Sequence, residues 1–454
     1  MDKQLLEKYN VPVPRYTSYP PANHFHDFDA AHHVEAVDAS NDAVNNLVSF
    51  YLHIPFCRHL CHYCGCNSYP MMKDEMVERY VAALHKEIDL VAAHIRKDRR
   101  IAQIHYGGGS PTAIPVRHIR ALNEHLLSLL PTIDRPEIAI ECHPGYLTAT
   151  DWEQLVGCGF SRFSIGVQDF DEKVLQTVNR RPPLVPVNDI LDIVRGAGAA
   201  VNMDFLFGLP HQTPASFQRT IEKAADLHPE RLVTFSYGHV PWVHKRQLFL
   251  EQAGLPSDSD KQAMFGRAAE TLRRAGYRGI GMDHFVLPDD ELSIALDTKR
   301  LHRNFQGYCT LRTTGQVYAF GVTAISQLES AYAQNGKDIA AYIDALESDN
   351  LYVSRGYALS RQEQIVREVI ESMMCNYHID WNETAERLKI GVGDVKAAIN
   401  NCAGTLEEMQ QDGLIHLTDH SISMTSAGSP FVRNVVAALD PLMVHSTKKY
   451  SKPL

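Results

Sequence analysis

The feature that most constrains the fold is a repeated alternation of short apolar runs and longer amphipathic stretches between residues 49 and 240. The runs are rich in β-branched and aromatic residues, and several end in Gly or Pro, as strands do. The stretches between them, such as 73–95 and 214–227, have helical periodicity and are long enough to connect parallel strands. Six such βα units predict an α/β fold, either a doubly wound sheet or a full or partial (β/α) barrel. The six runs are SFYLHIPF (49–56), IAQIHYGG (101–108), IAIECHP (138–144), FSIGVQDF (163–170), VNMDFLFGLP (201–210) and RLVTFSYGHV (231–240).

Polar residues and glycines recur where these strands are expected to end. Both candidate architectures place their chemistry at the carboxyl ends of the strands. The recurrence therefore favours one shared active-site mouth. Taken singly, each residue has a simpler role: Glu141 and Asp204 also suit helix capping, and glycine-rich turns are common after parallel strands. The strand-end residues are GGGSP (107–111), Glu141, Gln168, Asp169 and GLP (208–210).

The charge balance and the first residues exclude several classes of protein. A net charge of −10 over 454 residues gives no basic footprint for nucleic acid. The first ten residues, MDKQLLEKYN, lack the apolar core of a signal peptide, and no apolar run approaches membrane-spanning length. We therefore expect a cytoplasmic protein that has no membrane span and does not bind nucleic acid.

Four of the nine cysteines lie within ten residues, in the motif CRHLCHYCGC (57–66). In a reducing compartment such clustering indicates metal or redox chemistry rather than disulfides. The spacing C-x3-C-x2-C places three thiolates in a tight loop, which suits a [4Fe–4S] cluster with one iron free of protein ligands. The alternative is a zinc site that uses all four cysteines, or cysteines with His59 or His62, but no distant second pair of cysteines is evident. The scattered cysteines are expected to be small buried apolar residues.

Two further regions flank the βα series. PRYTSYPP (14–21) indicates an extended arm, and DAAHHVEAV (29–37) indicates a short helix. After about residue 356 the pattern becomes helical, and GLIHLTDHSISMT (413–425) then predicts a β-hairpin. This last region resembles a small winged-helix-like cap.

The cysteine motif and the βα series together resemble the radical S-adenosylmethionine (SAM) superfamily, whose core is a partial (β/α)6 barrel. Further motifs are similar to those of the oxygen-independent coproporphyrinogen III oxidase family, in the same order, over nearly the whole chain and least clearly beyond residue 360. These motifs are PRYTSYP (14–20), YLHIPFCRHLCHYCGCN (51–67), YGGGSPT (106–112), GVQDF (166–170), NRR (179–181), GLP (208–210), GMDHF (281–285) and HRNFQGY (302–308). The implied parts are an arm and short helix over the active site (1–48), the partial barrel (49–285), an extension completing the substrate pocket (286–355) and a mainly helical, winged-helix-like C-terminal domain (356–454).

The resemblance also implies roles for single residues. Cys57, Cys61 and Cys64 match the cluster ligands of the family, whereas Cys66 matches a cysteine that does not bind the cluster. The family binds two SAM molecules side by side. Residues that match its SAM contacts are Tyr51, Tyr63, Gly107, Gly108, Gly109, Glu141, Gln168, Arg180, Asp204, Gly238, Gln306 and Ile325, and Gln306 and Ile325 look like contacts to the second molecule. Without the resemblance, Tyr51 and Tyr63 would also suit core aromatics, and Arg180 a solvated helix end.

The activity implied is oxidative decarboxylation of two propionates of coproporphyrinogen III, giving protoporphyrinogen IX in haem biosynthesis without oxygen. In the family a 5′-deoxyadenosyl radical abstracts a propionate β-hydrogen. We expect Arg15 and Arg303 to bind substrate carboxylates, because the guanidinium fork matches a carboxylate. A reduced flavodoxin- or ferredoxin-like electron donor and a monomeric state are also expected.

Two other relatives in the superfamily are alternatives. A haem chaperone usually lacks the fourth cysteine of the motif and carries HNxxYW, whereas this chain has Cys66 and reads HRNFQGY at 302–308. A radical methyltransferase that opens haem anaerobically is separated by overall similarity rather than by any one residue.

Overall fold

Strands and helices alternate through the first two thirds of the chain, as the apolar runs predict. The computed structural model describes residues 3–43, 45–310, 316–400, 402–444, 446 and 450. The arm contains α1 (Lys3–Tyr9), β1 (His26–Asp27) and α2 (Ala30–Ser40). The βα series then runs β2 (Leu47–Ile54), β3 (Phe56–Cys57), β4 (Tyr69–Pro70), α3 (Asp74–Ala92), β5 (Arg100–Gly108), α4 (Val116–Leu129), β6 (Thr132–Cys142), α5 (Ala149–Val156), β7 (Arg162–Gln168), α6 (Glu172–Thr177), α7 (Val187–Gly196), β8 (Ala200–Phe207), α8 (Pro214–Asp226) and β9 (Arg231–Ser236).

The remaining elements extend the sheet and then form a helical region. The first group is α9 (Leu248–Ala253), α10 (Asp258–Arg274), β10 (Arg278–Ile280), β11 (His284–Val286), α11 (Glu291–Asp297), β12 (Leu301–Asn304), β13 (Gly307–Thr310), β14 (Val317–Phe320), β15 (Ile325–Gln327), β16 (Ala331–Asn335), α12 (Ile339–Glu347) and β17 (Val353–Ala358). The second is α13 (Arg361–Asn376), β18 (His378–Asp380), α14 (Trp381–Leu388), α15 (Val392–Ala398), α16 (Ala403–Gln411), β19 (Ile415–Leu417), β20 (Ser421–Met424) and α17 (Val432–Leu439).

The central sheet has thirteen strands and is parallel in its middle. Its order is β1-β17-β16-β15-β14-β2-β5-β6-β7-β8-β9-β11-β10. The pairs from β14 through β2 and β5 to β9 are parallel, and the flanking pairs are antiparallel. All six predicted strands are confirmed. The structure adds β14 as a seventh parallel strand, and within the described residues the edge strands β1 and β10 do not pair, so the sheet is open.

The crossover helices begin at recognisable capping residues in the sequence. In α5 the side chains of Thr148 and Asp151 cap each other's backbone N–H groups. In α8 Thr213 forms a similar box with Ser216, and Pro214 occupies the first helical position, where no backbone donor is needed. These caps turn the chain back across the sheet, so the strands remain parallel and their carboxyl ends lie at one edge.

Two separate apolar cores hold the chain together. The larger lies between the outward side chains of the central strands and the crossover helices. The second joins the helices after residue 360 to three tyrosines of the arm, Tyr9, Tyr16 and Tyr19. The arm is therefore packed on the C-terminal helices, and Tyr16 donates to Asp440 at 3.0 Å.

The predictions for the flanks of the βα series are also confirmed. The short helix expected at 29–37 is α2, and the hairpin expected at 413–425 is β19 with β20, which β18 extends to three strands. No helix in the described part of the chain is both long enough and apolar enough to cross a membrane.

Candidate active site

The cysteine loop, residues 57–69, follows β2 and is closed at its base by the small β3–β4 pair. Tyr69 N donates to Pro55 O at 2.8 Å, and Met71 N donates to Cys57 O at 2.8 Å. These bonds hold the two ends of the loop together. Its cysteines line a cavity of about 390 Å³ in the interior of the parallel sheet, together with side chains from β5 to β9.

The spacing of three cysteines in this loop fits a multi-iron cluster. Cys57, Cys61 and Cys64 line the same cavity with the spacing of cluster ligands. Cys66 lines the same cavity, and its backbone N–H donates to Cys64 Sγ at 3.4 Å. Hydrogen bonds to ligand sulfurs are a usual feature of iron–sulfur sites.

The glycines at the end of β5 allow the strand to lie against the cysteine loop. A Cβ on Gly109 would lie 2.9 Å from Cys57 Sγ and 2.7 Å from Pro55 O. A Cβ on Gly107 would lie 2.9 Å from Glu141 Oε1 and 3.0 Å from the Tyr51 ring. Gly108 has a φ of +118°, which residues other than glycine rarely adopt. The three predicted glycines are therefore required by close packing at the strand end.

Alternate residues of β5 to β9 line the cavity, and most of them are polar. They fall into two levels along the strands. We call the level nearer the amino ends the lower ring, which comprises Gln103, Glu137, Arg162 and Arg231. The level nearer the carboxyl ends is the upper ring, which comprises His105, Glu141, Ser164 and Asp204. The residues between them, such as Ile104, Ile140 and Met203, are buried in the larger apolar core.

The upper ring brings together two of the predicted carboxylates. His105 Nε2 lies 3.0 Å from Glu141 Oε1, and the Tyr51 ring stacks on the His105 ring at 5.9 Å. Ser164 Oγ donates to Asp204 Oδ2 at 2.9 Å. Burial raises the pKa of Asp204 to about 6, although the Ser164 hydroxyl acts to lower it. The carboxyl group of Asp204 thus lacks a fully compensating cation in the folded chain.

Arg180 connects the upper ring to the cysteine loop. Its Nη1 donates to Tyr63 Oη at 3.0 Å and to Cys61 Sγ at 3.5 Å, and its Nη2 donates to Gly166 O. Its Nε is buried and has no hydrogen-bond partner among the described residues. Gln168, with a left-handed φ of 72°, lies next to it, since a Cβ on Gly166 would touch both side chains at 2.8 Å. Arg180 is thereby fixed as a positive charge at the cavity wall.

The lower ring is a network of buried ion pairs, in which Arg162 Nη1 is a buried atom without a hydrogen-bond partner among the described residues. Glu137 Oε2 accepts from Arg162 Nε at 3.1 Å, and Glu137 Oε1 accepts from Gln103 Nε2 at 2.7 Å. Arg231 Nε donates to Asp290 Oδ2 at 2.8 Å, and its Nη1 lies 3.9 Å from Glu137. Burial alone would raise the pKa of Glu137, but the charges of Arg162 and Arg231 lower it to about 2. This network neutralises the floor of the cavity.

The wall opposite the cysteine loop is formed by β11 and the β12–β13 hairpin. Gln306 lines the cavity there, as do His284 and Tyr308. The Tyr308 ring packs edge-on against His284 at 5.1 Å and lies 4.9 Å from the Arg303 guanidinium. Arg303 Nε and Nη1 are buried without a hydrogen-bond partner in the described chain. Arg303 is therefore a cation placed directly behind the cavity wall.

Six predicted residues are not part of the cavity lining. Tyr51 and Gly107 lie beside it, next to His105 and Glu141, and Arg303 lies behind Tyr308. The other three are Gly238, Ile325 and Arg15. Gly238 is exposed, and its carbonyl accepts from Gln247 Nε2 at 3.3 Å. Ile325 packs beside a small apolar cluster that includes Tyr332. Arg15 is exposed on the arm, yet its charge acts together with His284 and Arg303 to lower the pKa of Asp283 in spite of burial. The roles given to these residues stay predictions.

The structure also places residues in the cavity that the motifs do not indicate. These are the whole lower ring, with His105, Ser164 and Asn202. The signal that could have found them is the period of two within β5 to β9, where polar residues recur on one face of otherwise apolar strands. In a parallel sheet covered by helices on the outside, that face can only be the interior.

Comparisons with known proteins agree with this geometry. The family model of the Radical SAM superfamily matches residues 51–224, and that of the HemN C-terminal domain matches residues 359–431. The chain is 35% identical over 449 residues to the oxygen-independent coproporphyrinogen III oxidase of Synechocystis sp., which covers 98% of this chain and 96% of that protein. It is 36% identical over 441 residues to the protein of that name from Escherichia coli, covering 97% and 95%.

A solved structure gives the same result for the fold. Coproporphyrinogen III oxidase (HemN) from Escherichia coli, described as a Radical SAM enzyme, superposes with a TM-score of 0.86 at 34% identity, over 97% of this chain and 98% of that one. The likeness spans the arm, the sheet and the C-terminal helices. The chain belongs to the oxygen-independent coproporphyrinogen III oxidase family of the radical SAM superfamily.

Proposed function

We propose that the enzyme converts coproporphyrinogen III to protoporphyrinogen IX in haem biosynthesis, by oxygen-independent oxidative decarboxylation of two propionate side chains. One observation carries the proposal: three cysteines with cluster spacing share a cavity with the upper ring, in a chain that matches relatives of that activity over its full length. The cofactors are a [4Fe–4S] cluster and SAM, as in the radical SAM superfamily.

The cluster ligands in this proposal are Cys57, Cys61 and Cys64. When bound, the cluster and SAM together supply a carbon-centred radical that can remove a hydrogen from the propionate β-carbon. The protein's part is to hold the reactants and to exclude water. The cysteine loop is closed by the β3–β4 pair, and Gly109 allows the end of β5 to pack against Cys57 Sγ. Both features position the loop at the end of β5.

The upper ring and Arg180 are proposed to bind SAM, which carries a sulfonium, an ammonium and a carboxylate. Glu141 and Asp204 offer anionic oxygens to the cationic groups, and Arg180 offers a guanidinium to the carboxylate. Gln168, Tyr51, Tyr63 and the three glycines complete this set. A second SAM is proposed near Gln306 and Ile325, of which Gln306 lines the cavity. Gly238 is proposed to contribute through its backbone.

The four carboxylates of the substrate are proposed to meet Arg303 and Arg15. Both charges act on Asp283 at the cavity wall, so the arm and the β12–β13 hairpin face the same region. The arm is held there by the C-terminal helices, because Arg433 donates to the carbonyls of Val13 and Pro14. Arg15 therefore lies on a segment that is anchored on both sides. We further propose that the enzyme acts as a monomer in the cytoplasm.

The experiment is anaerobic incubation of the reconstituted enzyme with dithionite, SAM and coproporphyrinogen III. We expect protoporphyrin and tripropionate products together with 5′-deoxyadenosine. Formation of 5′-deoxyadenosine with unchanged porphyrin would direct the proposal to another substrate. In matched variants, Cys57→Ala should lose the cluster iron and all product, whereas Cys66→Ser should keep the iron. Loss of iron in Cys66→Ser alone would contradict the ligand assignment.

A further inference from the structure

An exposed apolar surface lies on the segment between β9 and α9. Four of the nine large apolar side chains that are exposed among the described residues fall between residues 242 and 249, so the exposure is concentrated rather than scattered. Trp242 is 77% exposed, Val243 62% and Phe249 59%. None of these three lines the cavity. We call Trp242, Val243, Lys245, Leu248 and Phe249 the Trp242 surface.

The Trp242 surface is in direct contact with the cysteine loop. The Phe249 ring stacks on the His62 ring at 4.9 Å. Gln247 Nε2 donates to Tyr63 O at 3.2 Å, and Arg246 Nη2 donates to Cys64 O at 3.4 Å. A molecule seated on Trp242 and Phe249 is therefore separated from the cysteines by one layer of protein.

The charge around the Trp242 surface is opposite to that of the whole chain. The chain carries a net charge of −10, with 54 Asp and Glu residues. The segment 239–250 contains none of these acids and contributes Lys245 and Arg246, and the acid that follows it, Glu251, faces His239 at 3.7 Å. Apolar side chains surrounded by charged ones are the usual composition of a protein–protein interface. The positive local charge would steer an acidic partner to this point on an otherwise negative molecule.

We propose that the Trp242 surface is the docking site for an acidic one-electron-carrier protein of the flavodoxin or ferredoxin kind. The inference rests on the proposed function, since that activity requires one electron at the cluster before SAM is cleaved. In the step, one electron leaves the reduced carrier and enters the cluster, and the carrier departs in its one-electron-oxidised form. Redox encounters of this kind use small interfaces, which a surface of five residues can anchor.

Two pairs of matched variants test the docking site. Trp242→Ser removes the largest exposed apolar side chain of the surface. Its control is Ile294→Ser, which removes an apolar side chain that is 54% exposed on α11. Lys245→Glu reverses a charge of the surface, and Lys97→Glu reverses an exposed charge just before β5, at the opposite ends of the strands. All four are made in the reconstituted holoenzyme, with a flavodoxin as the probe.

Two measurements are made besides product formation. One is the dissociation constant of the flavodoxin by calorimetry, and the other is the anaerobic rate at which reduced flavodoxin bleaches the visible absorption of the cluster. We expect Trp242→Ser to weaken binding by about tenfold, as for an interface hot spot. Lys245→Glu should slow association and flatten its salt dependence. The Ile294 and Lys97 variants should match the parent, and all five proteins should be reduced equally by dithionite.

Three outcomes would overturn the proposal. The first is unchanged flavodoxin binding in both surface variants. The second is a raised KM for coproporphyrinogen III with dithionite in Trp242→Ser, which would make the surface part of the substrate site. The third is a parent dimer that Trp242→Ser dissociates, which would assign the surface to a second copy of the chain. If dithionite reduces the parent cluster without any porphyrin product, the proposed function fails, while the binding measurement still decides the docking site.

Discussion

The lower and upper rings are two levels of one cavity, and their charges have opposite surroundings. Both rings take residues from β5, β6 and β7, to which β9 adds Arg231 in the lower ring and β8 adds Asp204 in the upper ring. In the lower ring Glu137 is only 12% exposed and is paired with Arg162, and Arg231 is paired with Asp290. In the upper ring Glu141 is 42% exposed, and Asp204 is held by a single serine hydroxyl. The lower ring satisfies its charges within the protein, whereas the upper ring leaves carboxylates facing the cavity.

We infer that this difference separates charges that hold the fold from charges that bind a ligand. Burying an ion is costly unless a partner compensates it, so a carboxylate that lacks such a cation inside a cavity indicates a cationic ligand. The pKa values divide the two rings in the same way. The pKa of Glu137, beside two guanidinium groups, is lowered to about 2, whereas burial raises the pKa of Asp204, which contacts no guanidinium group, to about 6.

The largest effect is expected from Glu137→Gln. The variant leaves Arg162 and Arg231 as buried cations without their shared carboxylate, which costs about 3–5 kcal/mol of unfolding free energy. Chemical denaturation of the purified protein measures it. The control is Glu141→Gln in the upper ring, which should cost less than about 1 kcal/mol because the side chain is partly exposed. Equal losses in the two variants would remove the distinction between the rings.

For SAM affinity we expect the larger loss in Glu141→Gln and the smaller loss in Glu137→Gln. Glu141→Gln removes an anionic acceptor from the upper ring, and a hydrogen bond to a charged group is worth about 1.5–3 kcal/mol, so affinity should fall by about tenfold or more. Equilibrium dialysis of the holoenzyme with labelled SAM gives the dissociation constant. Glu137→Gln, measured at a temperature where it is folded, should stay within about twofold of the parent. A larger loss in Glu137→Gln than in Glu141→Gln would contradict the assignment of SAM to the upper ring.

The third effect is a dependence on pH that belongs to the upper ring. The pKa of Asp204 rises on folding from 3.8 to about 6, so the folded chain keeps a proton that the unfolded chain loses. This residue's contribution to stability is therefore present at low pH and is lost as pH rises through about 6. Cationic SAM favours the ionised form, so its affinity should rise between pH 5 and 7 with release of a proton. Asp204→Asn should flatten this profile and be more stable than the parent above pH 6.

The sequence predicts the framework of this cavity well and its chemistry unevenly. The six strands are predictable because each is a continuous apolar run bounded by Gly, Pro or polar residues. Strand β14 is not predictable in this way, since the four residues VYAF (317–320) become a parallel strand only by pairing with β2. Strand pairing between distant segments is a tertiary effect that local patterns do not encode.

The site residues divide along the same line. The cysteines and the glycines of β5 are recognisable because each set lies within one short segment, although a zinc site and an ordinary glycine-rich turn are the alternatives. The period of two could have placed the lower-ring residues in the cavity, but it does not encode their ion pairs, because Glu137, Arg162 and Arg231 come from three different strands. Arg180 was indicated by the resemblance alone, and its contacts with Tyr63 and Cys61 explain its position.

The smallest effect, and the sharpest test of the upper ring, is expected from Ser164→Ala. The Ser164 hydroxyl donates to Asp204 and acts to lower its pKa, so its removal should raise that pKa further. The midpoint of the SAM affinity profile should then move upward by about one pH unit, since a hydrogen bond to an ionised carboxylate is worth about 1–1.5 kcal/mol more than one to a neutral carboxyl. The control is Ser326→Ala, which removes a buried hydroxyl that accepts from Ala319 N at 3.0 Å, away from both rings. The Ser326→Ala variant should lower the free energy of unfolding by about as much as Ser164→Ala does, but it should leave the midpoint of the SAM affinity profile unchanged. A midpoint that moves downward in Ser164→Ala, or moves equally in both variants, would mean that a group other than Asp204 sets the pH dependence.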